Sequence, residues 1–378
     1  RHAGEDEAMS GTAVRRRPEA PVERCSVSAY RIPTDRPAES DGTLRWNATT
    51  LVLVELDAGG ETGTGWTYAD PAVGAIVRDE LAPRLERFDA RDTRRIWNAL
   101  GAAVRNDGRS GLASYAVAAL DIALWDLRAR LCGVALCDLF GVVRDAVPVY
   151  GSGGFTSYDV RTLREQLGGW AADGMAAVKM KVGRDAGADI DRVAAARAAI
   201  GPHVGLFVDA NGGYEPAQAI AMAHRFADSG VTWFEQPVDH ADLDGTARVR
   251  DRVPAGMEVT SGEYITDTAL AARVAAAVDV LQADATRCGG YTGLLAIDGY
   301  CEVARKPLST HCSPSLHLHA AAAMLRLRHM EWFHDHVRIE RMLFDGFVEP
   351  VDGLMRPDRS RPGHGLAFRR AQAQRFAL

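Results

Sequence analysis

From Pro148 onward the chain keeps one rhythm: a short apolar run, a polar residue at its end, then a stretch with helical spacing. The runs fall at 147–150, 177–180, 204–208, 231–234, 258–260, 278–282, 307–310 and 328–330. From Lys181 to Glu331 the rhythm takes 150 residues over six steps, about 25 residues per strand–helix unit. Strands that alternate with helices pair in parallel, and eight such units predict a closed (β/α)8 barrel of the TIM type over residues 146–336. Upstream, residues 22–32 alternate in polarity and 46–56 are β-rich. Gly59-Gly60 turns the chain into 63–67, and helical patterns follow at 72–88, 91–104 and 111–131. Strands first and helices after predict a separate α+β unit over 22–140. Residues 337–378 are expected to pack back on that unit. Residues 1–21 read as a flexible tail, because Arg15, Arg16 and Arg17 are followed by Pro18 and Glu19 rather than by the apolar stretch of a signal peptide.

The net charge of −6 is spread over both signs, with no basic stripe for nucleic acid. No apolar run is long enough to span a membrane. The six cysteines form no CxxC pairs, which predicts reduced thiols in a cytoplasmic protein. The use of lysine is more informative. Only Lys179, Lys181 and Lys306 occur, against 41 arginines. Arginine cannot be deprotonated in a protein and lysine can. Two of the three lysines sit in Val178-Lys-Met-Lys-Val182, where a titratable amine is the better explanation than chance.

In a barrel of this kind the active site lies at the C-terminal ends of the strands. Those ends carry Ser152, Lys179 and Lys181, Asp209, Glu235, Glu263, Asp284, His311 and Glu331. Asp209, Glu235 and Glu263, at spacings of 26 and 28, offer three carboxylates on adjacent strands. That donor set suits a hard divalent cation. No Cys or His falls among the three, which disfavours zinc, and magnesium would keep positions open for a substrate carboxylate. Removing a proton beside a carboxylate puts a second negative charge on its oxygens, and a cation bound there stabilises the enediolate by several kcal/mol. Three carboxylates and two lysines sum to −1, and the metal brings the site to +1.

Lys181 is the expected base. Its pKa would have to fall from about 10.4 to about 7–8, a shift costing about 4 kcal/mol. Burial, Lys179 and the metal would all press that way. Strand periodicity puts Lys179 on the same side, where it could bind the substrate carboxylate. Asp284 is expected to orient His311, which could reach the opposite face of the same carbon. Glu331 could hydrogen-bond a substrate oxygen or close a salt bridge. Asn211 and Ser152 are further candidate substrate contacts. His317 and His319 read as structural, and His334 and His336 lie near the barrel mouth. Cys288 and Cys312 flank the site with no dedicated base, so no nucleophilic role is expected of them.

Lys-x-Lys, Asp-x-Asn, Glu-Gln-Pro, Gly-Glu, Asp with Gly289-Gly290, His and Glu, in that order over strands two to eight, resemble the mandelate racemase subgroup of the enolase superfamily. The likeness covers about residues 22–365, including Asp121-Ile-Ala-Leu-Trp-Asp126. It implies an N-terminal domain capping the barrel, with capping loops near 30–46 and 59–68. It also implies magnesium on Asp209, Glu235 and Glu263, and Lys181 and His311 as the acid/base pair. Muconate cycloisomerases and dipeptide epimerases place a lysine at strand six, where this chain has Asp284. The same catalytic set serves two reactions in the family. One is dehydration of an acid sugar to a 2-keto-3-deoxy acid, and the other is racemisation or epimerisation of a 2-hydroxy acid. The polar run 31–46 favours dehydration of a polyhydroxylated acid. A small-molecule carboxylate substrate and a homo-oligomer are expected. A non-catalytic binding protein on an inherited barrel is the competing class, and the complete set of strand-end groups argues against it.

Overall fold

The computed structural model describes residues 19–36 and 38–378. Most of the expected tail lies outside them. Ala20, at its end, is buried and accepts a hydrogen bond from Ala90 N.

The first unit is built on an antiparallel sheet of β1 (Arg24–Pro33), β2 (Ala48–Ala58) and β3 (Glu61–Tyr68), with β2 in the middle. The register pairs Arg24 with Asp57 and Pro33 with Ala48. The expected helix over 72–88 is broken into Ala72–Ala75, a π-type stretch Ile76–Leu81 and a tight turn Ala82–Arg87. Pro83 lies in that last turn and has no N–H for an α-helical bond. Two helices follow, α1 (Thr93–Ala103) and α2 (Leu112–Cys132). α2 is buried almost all round because two bodies cover it. β3 packs on one side, so closely that a Cβ at Gly65 would lie 2.3 Å from Ala119 O. On the other side Asp121 accepts from Thr292 N at 2.8 Å and from Thr292 Oγ1 at 2.7 Å, which ties the helix to the barrel. Gly133, left-handed at φ 65°, ends it.

Eight parallel strands close the barrel: β4 (Val147–Gly153), β5 (Ala177–Lys181), β6 (Gly205–Asp209), β7 (Val231–Glu235), β8 (Glu258–Ser261), β9 (Val280–Ala283), β10 (Leu308–Thr310) and β11 (Leu327–Phe333). β11 returns to β4 with Met330 opposite Val149 and Phe333 opposite Ser152. All eight expected runs are strands. The helices between them are α3 (Val160–Ala172), α4 (Ala186–Ile200), α5 (Pro216–Ala227), α6 (Leu243–Arg250), α7 (Thr268–Ala277), α8 (Gly290–Ala304) and α9 (Pro314–Ala323), and α10 (His334–Leu343) follows β11. Four of them begin on an aspartate that accepts backbone N–H groups: Asp159, Asp185, Asp242 and Asp267. The chain can therefore turn sharply from strand end to helix, which keeps the strand ends open to one another.

The inward residues lie two apart, as strand geometry requires. The lowest ring is apolar and aromatic. Phe207 stacks on Trp233 at 5.1 Å, and Tyr150 meets Phe207 at 5.3 Å and His329 at 4.7 Å. One step along each strand toward the mouth come Ser152, Lys179, Asp209, Glu235 and Glu331. The charged layer thus rests on a dry floor.

The last segment binds both units. Leu354–Met355 pairs with the start of β4, while Leu378 N donates to Ala29 O at 3.0 Å and Arg370 pairs with Glu55. Among the described residues no helix is long and apolar enough to cross a membrane.

Candidate active site

The strand-end residues singled out in the sequence gather in one buried cluster. Lys179 and Lys181 both point into the barrel from β5 and are almost fully buried. Lys179 Nζ lies 2.7 Å from both oxygens of Glu235 and 2.8 Å from Glu331 Oε1. Lys181 Nζ pairs with Asp209 Oδ2. Across the barrel, His311 Nδ1 faces Asp284 Oδ2 at 2.9 Å and His311 Nε2 faces Glu263 Oε2 at 2.8 Å. Each of the three candidate metal carboxylates therefore meets a basic side chain: Glu235 meets Lys179, Asp209 meets Lys181 and, at 3.7 Å, Lys179, and Glu263 meets His311.

This pairing bears on the base expected at Lys181. Burial favours a neutral amine on Lys181, but Asp209 outweighs it and holds the ammonium above the usual lysine range. A base at Lys181 requires Asp209 to be engaged elsewhere. Burial likewise opposes charge on His311, yet Cys312, Glu263 and Asp284 raise it well above an ordinary histidine. Burial, reinforced by Asp209, pushes Glu235 up to about 7 even with Lys179 beside it.

The donor chemistry fits a hard divalent ion. Asp209, Glu235 and Glu263 supply only oxygen, from consecutive strands. Beside them two buried oxygens, Asn211 Oδ1 and Gln236 Oε1, have no hydrogen-bond partner. Asn211 and Gln236 follow Asp209 and Glu235 at φ 47° and 36°, a backbone that is costly away from functional sites.

Asp284 is fixed by more than His311. Its Oδ1 accepts from Thr286 N at 2.8 Å, and Arg287 Nε lies 3.8 Å from Oδ2. Arg287 also donates to Glu263 O at 3.1 Å, and its guanidinium sits over the Tyr264 ring at 5.3 Å. No motif pointed to Arg287. His329, also missed, could have been found by counting two residues back from Glu331 along β11. Its ring accepts or donates at Ser309 Oγ, 2.9 Å away, and burial holds it down at about 3, hence neutral.

Ser152, expected as a substrate contact, is buried and has its hydroxyl committed to Glu331, donating to Oε1 at 2.6 Å. Cys312 N donates to the other oxygen, Glu331 Oε2, at 2.7 Å. Glu331 is thus held in place for Lys179. The thiol of Cys312 lies 3.3 Å from His311 Nε2, so an imidazole does stand beside it. Burial pushes that thiol up to about 12, which leaves it a poor nucleophile. His317 and His319 are structural: His317 Nε2 accepts from Ala285 N at 2.9 Å, and His319 Nδ1 accepts from Cys137 N at 3.3 Å. His336 is stacked on Tyr68 at 3.5 Å.

Residues 34–36 and 38–47 lie across the barrel mouth. Ser40 Oγ meets Thr156 Oγ1 at 2.7 Å, Arg184 Nε donates to Asp41 O at 2.9 Å, and Trp46 Nε1 donates to Asp335 at 3.0 Å. The second expected capping loop, 59–68, is instead strand β3 and the turn before it. Gly63 and Gly65 let it lie flat on α2, and only its end reaches the mouth, where Thr67 Oγ1 donates to Thr286 O at 3.0 Å. A cavity of about 460 Å³ opens between the two units. Arg31, Trp46, Thr49, Arg287, Phe333 and Asp335 are among its walls. None of the strand-end residues lines it, but the ring centre of Phe333, one of its walls, lies 5.9 Å from Lys181 Nζ.

Residues 162–372 match the family described as enolase C-terminal domain-like, and residues 31–141 match the mandelate racemase/muconate lactonizing enzyme N-terminal domain. The chain is 36% identical to D-galactarolactone cycloisomerase of Agrobacterium fabrum over 70% of this chain and 71% of that one. It is 32% identical to L-talarate/galactarate dehydratase of Salmonella typhimurium over 84% and 80%. Among solved structures, a mandelate racemase/muconate lactonizing enzyme-like protein from Rubrobacter xylanophilus is 50% identical with a TM-score of 0.93, covering 95% of this chain and all of that one. An L-talarate dehydratase from Polaromonas complexed with magnesium and L-glucarate is 31% identical with a TM-score of 0.85, covering 95% and 98%.

Proposed function

The chain belongs to the mandelate racemase/muconate lactonizing enzyme family of the enolase superfamily, and from that premise we propose that it is a magnesium-dependent acid-sugar dehydratase. The observation that carries this reading is the placement of Lys181 and the His311–Asp284 pair on opposite sides of three metal-type carboxylates. Relatives that act as sugar-acid dehydratases and a neighbour holding magnesium with L-glucarate support it.

Asp209, Glu235 and Glu263 would hold the magnesium, whose charge, when bound, offsets the second negative charge that develops on the substrate carboxylate. Lys179, fixed by Glu331 and so by Ser152, keeps a permanent positive charge beside that carboxylate. With Asp209 engaged as a ligand, Lys181 loses the partner that holds its proton and becomes able to take the one on C2. His311, charged and oriented by Asp284, delivers its proton to the 3-hydroxyl as the C3–O bond breaks. Water leaves, and the enol that remains becomes the 2-keto-3-deoxy acid. Where the oxygen on C3 belongs to a ring, the same elimination opens the ring, as the name of the Agrobacterium relative suggests for its own substrate.

Racemisation of a 2-hydroxy acid is the second reading, because two acid/base groups on opposite faces can exchange a proton as well as eliminate. A cytoplasmic setting and a homo-oligomeric assembly are the expected ones. Sedimentation of the purified chain tests the latter. For the reaction, the chain is incubated with magnesium and a panel of acid sugars and 2-hydroxy acids in deuterated water and followed by NMR. A 2-keto product that requires magnesium and disappears in Lys181→Ala or His311→Ala is expected. Deuterium at the α-carbon without a keto product would replace dehydration by racemisation, and no turnover of any sugar acid would remove the dehydratase reading.

A further inference from the structure

A second group of acids joins the capping segment to the barrel, apart from the catalytic layer. Asp35 and Glu39 follow β1, and His334 and Asp335 open α10. His334 Nε2 lies 3.0 Å from Asp35 Oδ2. One ligand atom from each of Asp35, Glu39 and His334 falls within 4.8 Å of the other two. Glu39 and Asp335 are both fully buried. One oxygen of each, Glu39 Oε2 and Asp335 Oδ1, has no hydrogen-bond partner. Their other oxygens are held, Glu39 Oε1 by Tyr158 OH at 3.3 Å and Asp335 Oδ2 by Trp46 Nε1 at 3.0 Å and Thr49 Oγ1 at 3.3 Å.

Buried carboxylates without partners are costly unless a charge answers them. Three carboxylates meet here, and Arg338, which faces Asp35 and donates to Pro33 O at 2.7 Å, is the guanidinium beside them. The carboxylates outnumber that one cation. Protons could compensate: burial and the neighbouring Asp335 and Asp35 push Glu39 up to about 10. A proton shared by Glu39 and Asp335 would answer those two oxygens. A divalent cation on the converging atoms of Asp35, Glu39 and His334 answers Glu39 and draws on the Asp35–His334 pair as well.

We propose that Asp35, Glu39 and His334, with Asp335 beside them, bind a divalent ion of the zinc class at the junction of cap and barrel. The imidazole donor separates this site from the all-oxygen catalytic trio and favours zinc over magnesium. An ion there cross-links the capping segment to the start of α10. It steadies Trp46 and Asp335, which line the cavity, without touching the reacting atoms.

The test uses the full chain with the catalytic trio saturated by millimolar magnesium. Zinc is titrated in competition with a chromophoric chelator, and melting is followed in parallel. One tightly held zinc per wild-type chain is expected, together with a melting temperature that rises with zinc. Glu39→Gln and His334→Ala should lose both, and Asp209→Asn, which alters the catalytic trio, should keep both. His334 lies partly exposed, so its variant decides the matter if Glu39→Gln does not fold. Wild-type protein that takes up no zinc under magnesium, or a His334→Ala variant that binds it as wild type does, overturns the proposal. So does a wild-type melting temperature that responds to pH through Glu39 and is indifferent to zinc, because the compensating charge is then a proton.

Discussion

Replacing Asp284 by asparagine should leave the fold intact and disable the histidine. Asp284 Oδ1 accepts from Thr286 N at 2.8 Å while Oδ2 faces His311 Nδ1 at 2.9 Å. The asparagine oxygen has to stay on Thr286, since an amide nitrogen there would face another donor. The amide NH2 then points at His311 Nδ1, which must give up its proton to accept. The ring is left neutral and protonated only at Nε2, so it is no longer the charged acid that releases the 3-hydroxyl. Losing the hydrogen bond to a charged partner costs about 1.5–3 kcal/mol. Recovering the doubly protonated ring means turning the amide and leaving Thr286 N–H unpaired, another ~1–3 kcal/mol. Together these give about 2.5–6 kcal/mol, or a fall in kcat of roughly 10²–10⁴ at 1.36 kcal/mol per tenfold. The assay follows keto product from a substrate acid sugar and, separately, deuterium uptake at its α-carbon. If Lys181 removes the proton, uptake persists in Asp284→Asn while product falls. A kcat within tenfold of wild type with an unchanged pH profile would refute the assigned role of Asp284.

Lys181→Arg should cost about 10²–10⁴ in α-proton exchange, because a guanidinium cannot serve as a base. Lys306→Arg is the control: Lys306 Nζ donates to Val278 O at 2.7 Å at the far end of β9, and exchange measured by NMR should be unchanged. Gly65→Ala would put a Cβ 2.3 Å from Ala119 O and 2.5 Å from Ala123 N, both in the backbone of α2. Overpacking of that kind costs about 1–3 kcal/mol, and calorimetry should show a melting temperature several degrees lower. Burial pushes Glu340 up to about 7, against the hydrogen bond from Ser315 N at 3.0 Å and that from Tyr68 OH at 3.2 Å. The folded chain therefore holds a proton that the unfolded chain releases from about pH 4.5 upward. This stability is complete below that pH, falls as pH rises toward 7 and is gone above it. Glu340→Gln keeps both hydrogen bonds and should flatten the melting temperature between pH 5 and 7. A wild-type profile that rises through that window would contradict the assignment.

The barrel was legible because two periods coincide in it. Each strand is a run of three to seven residues whose inward positions alternate, and four of the helices start on a capping aspartate, so the strand ends could be read in order. The same alternation identified Lys179 with Lys181 and Asp209 with Glu235. What the sequence did not reveal depends on contacts between segments far apart in the chain. Nothing local marks Arg287, whose surroundings are Glu263, Asp284 and Tyr264. The role of Ser152 was misread because its partner, Glu331, is 179 residues away on the strand that closes the barrel. The second capping loop was misplaced for a related reason. Gly63 and Gly65 look like turn residues in sequence, but here they let a strand lie against a helix.

The Lys181 shift runs opposite to the one expected with magnesium bound, and the reason bears on how the site works. The expectation counted burial, Lys179 and a metal, all of which favour a neutral amine. Asp209 lies opposite Lys181 in register across β5 and β6, and it raises that lysine. Glu263 stands in the same relation to His311. The two proton-transfer groups are therefore each governed by a carboxylate that also belongs to the metal set. Drawing those carboxylates to a divalent ion weakens their hold on both groups together. Lys181 is then freed to act as a base on one face, while His311 keeps its proton through Asp284, which is not part of that set.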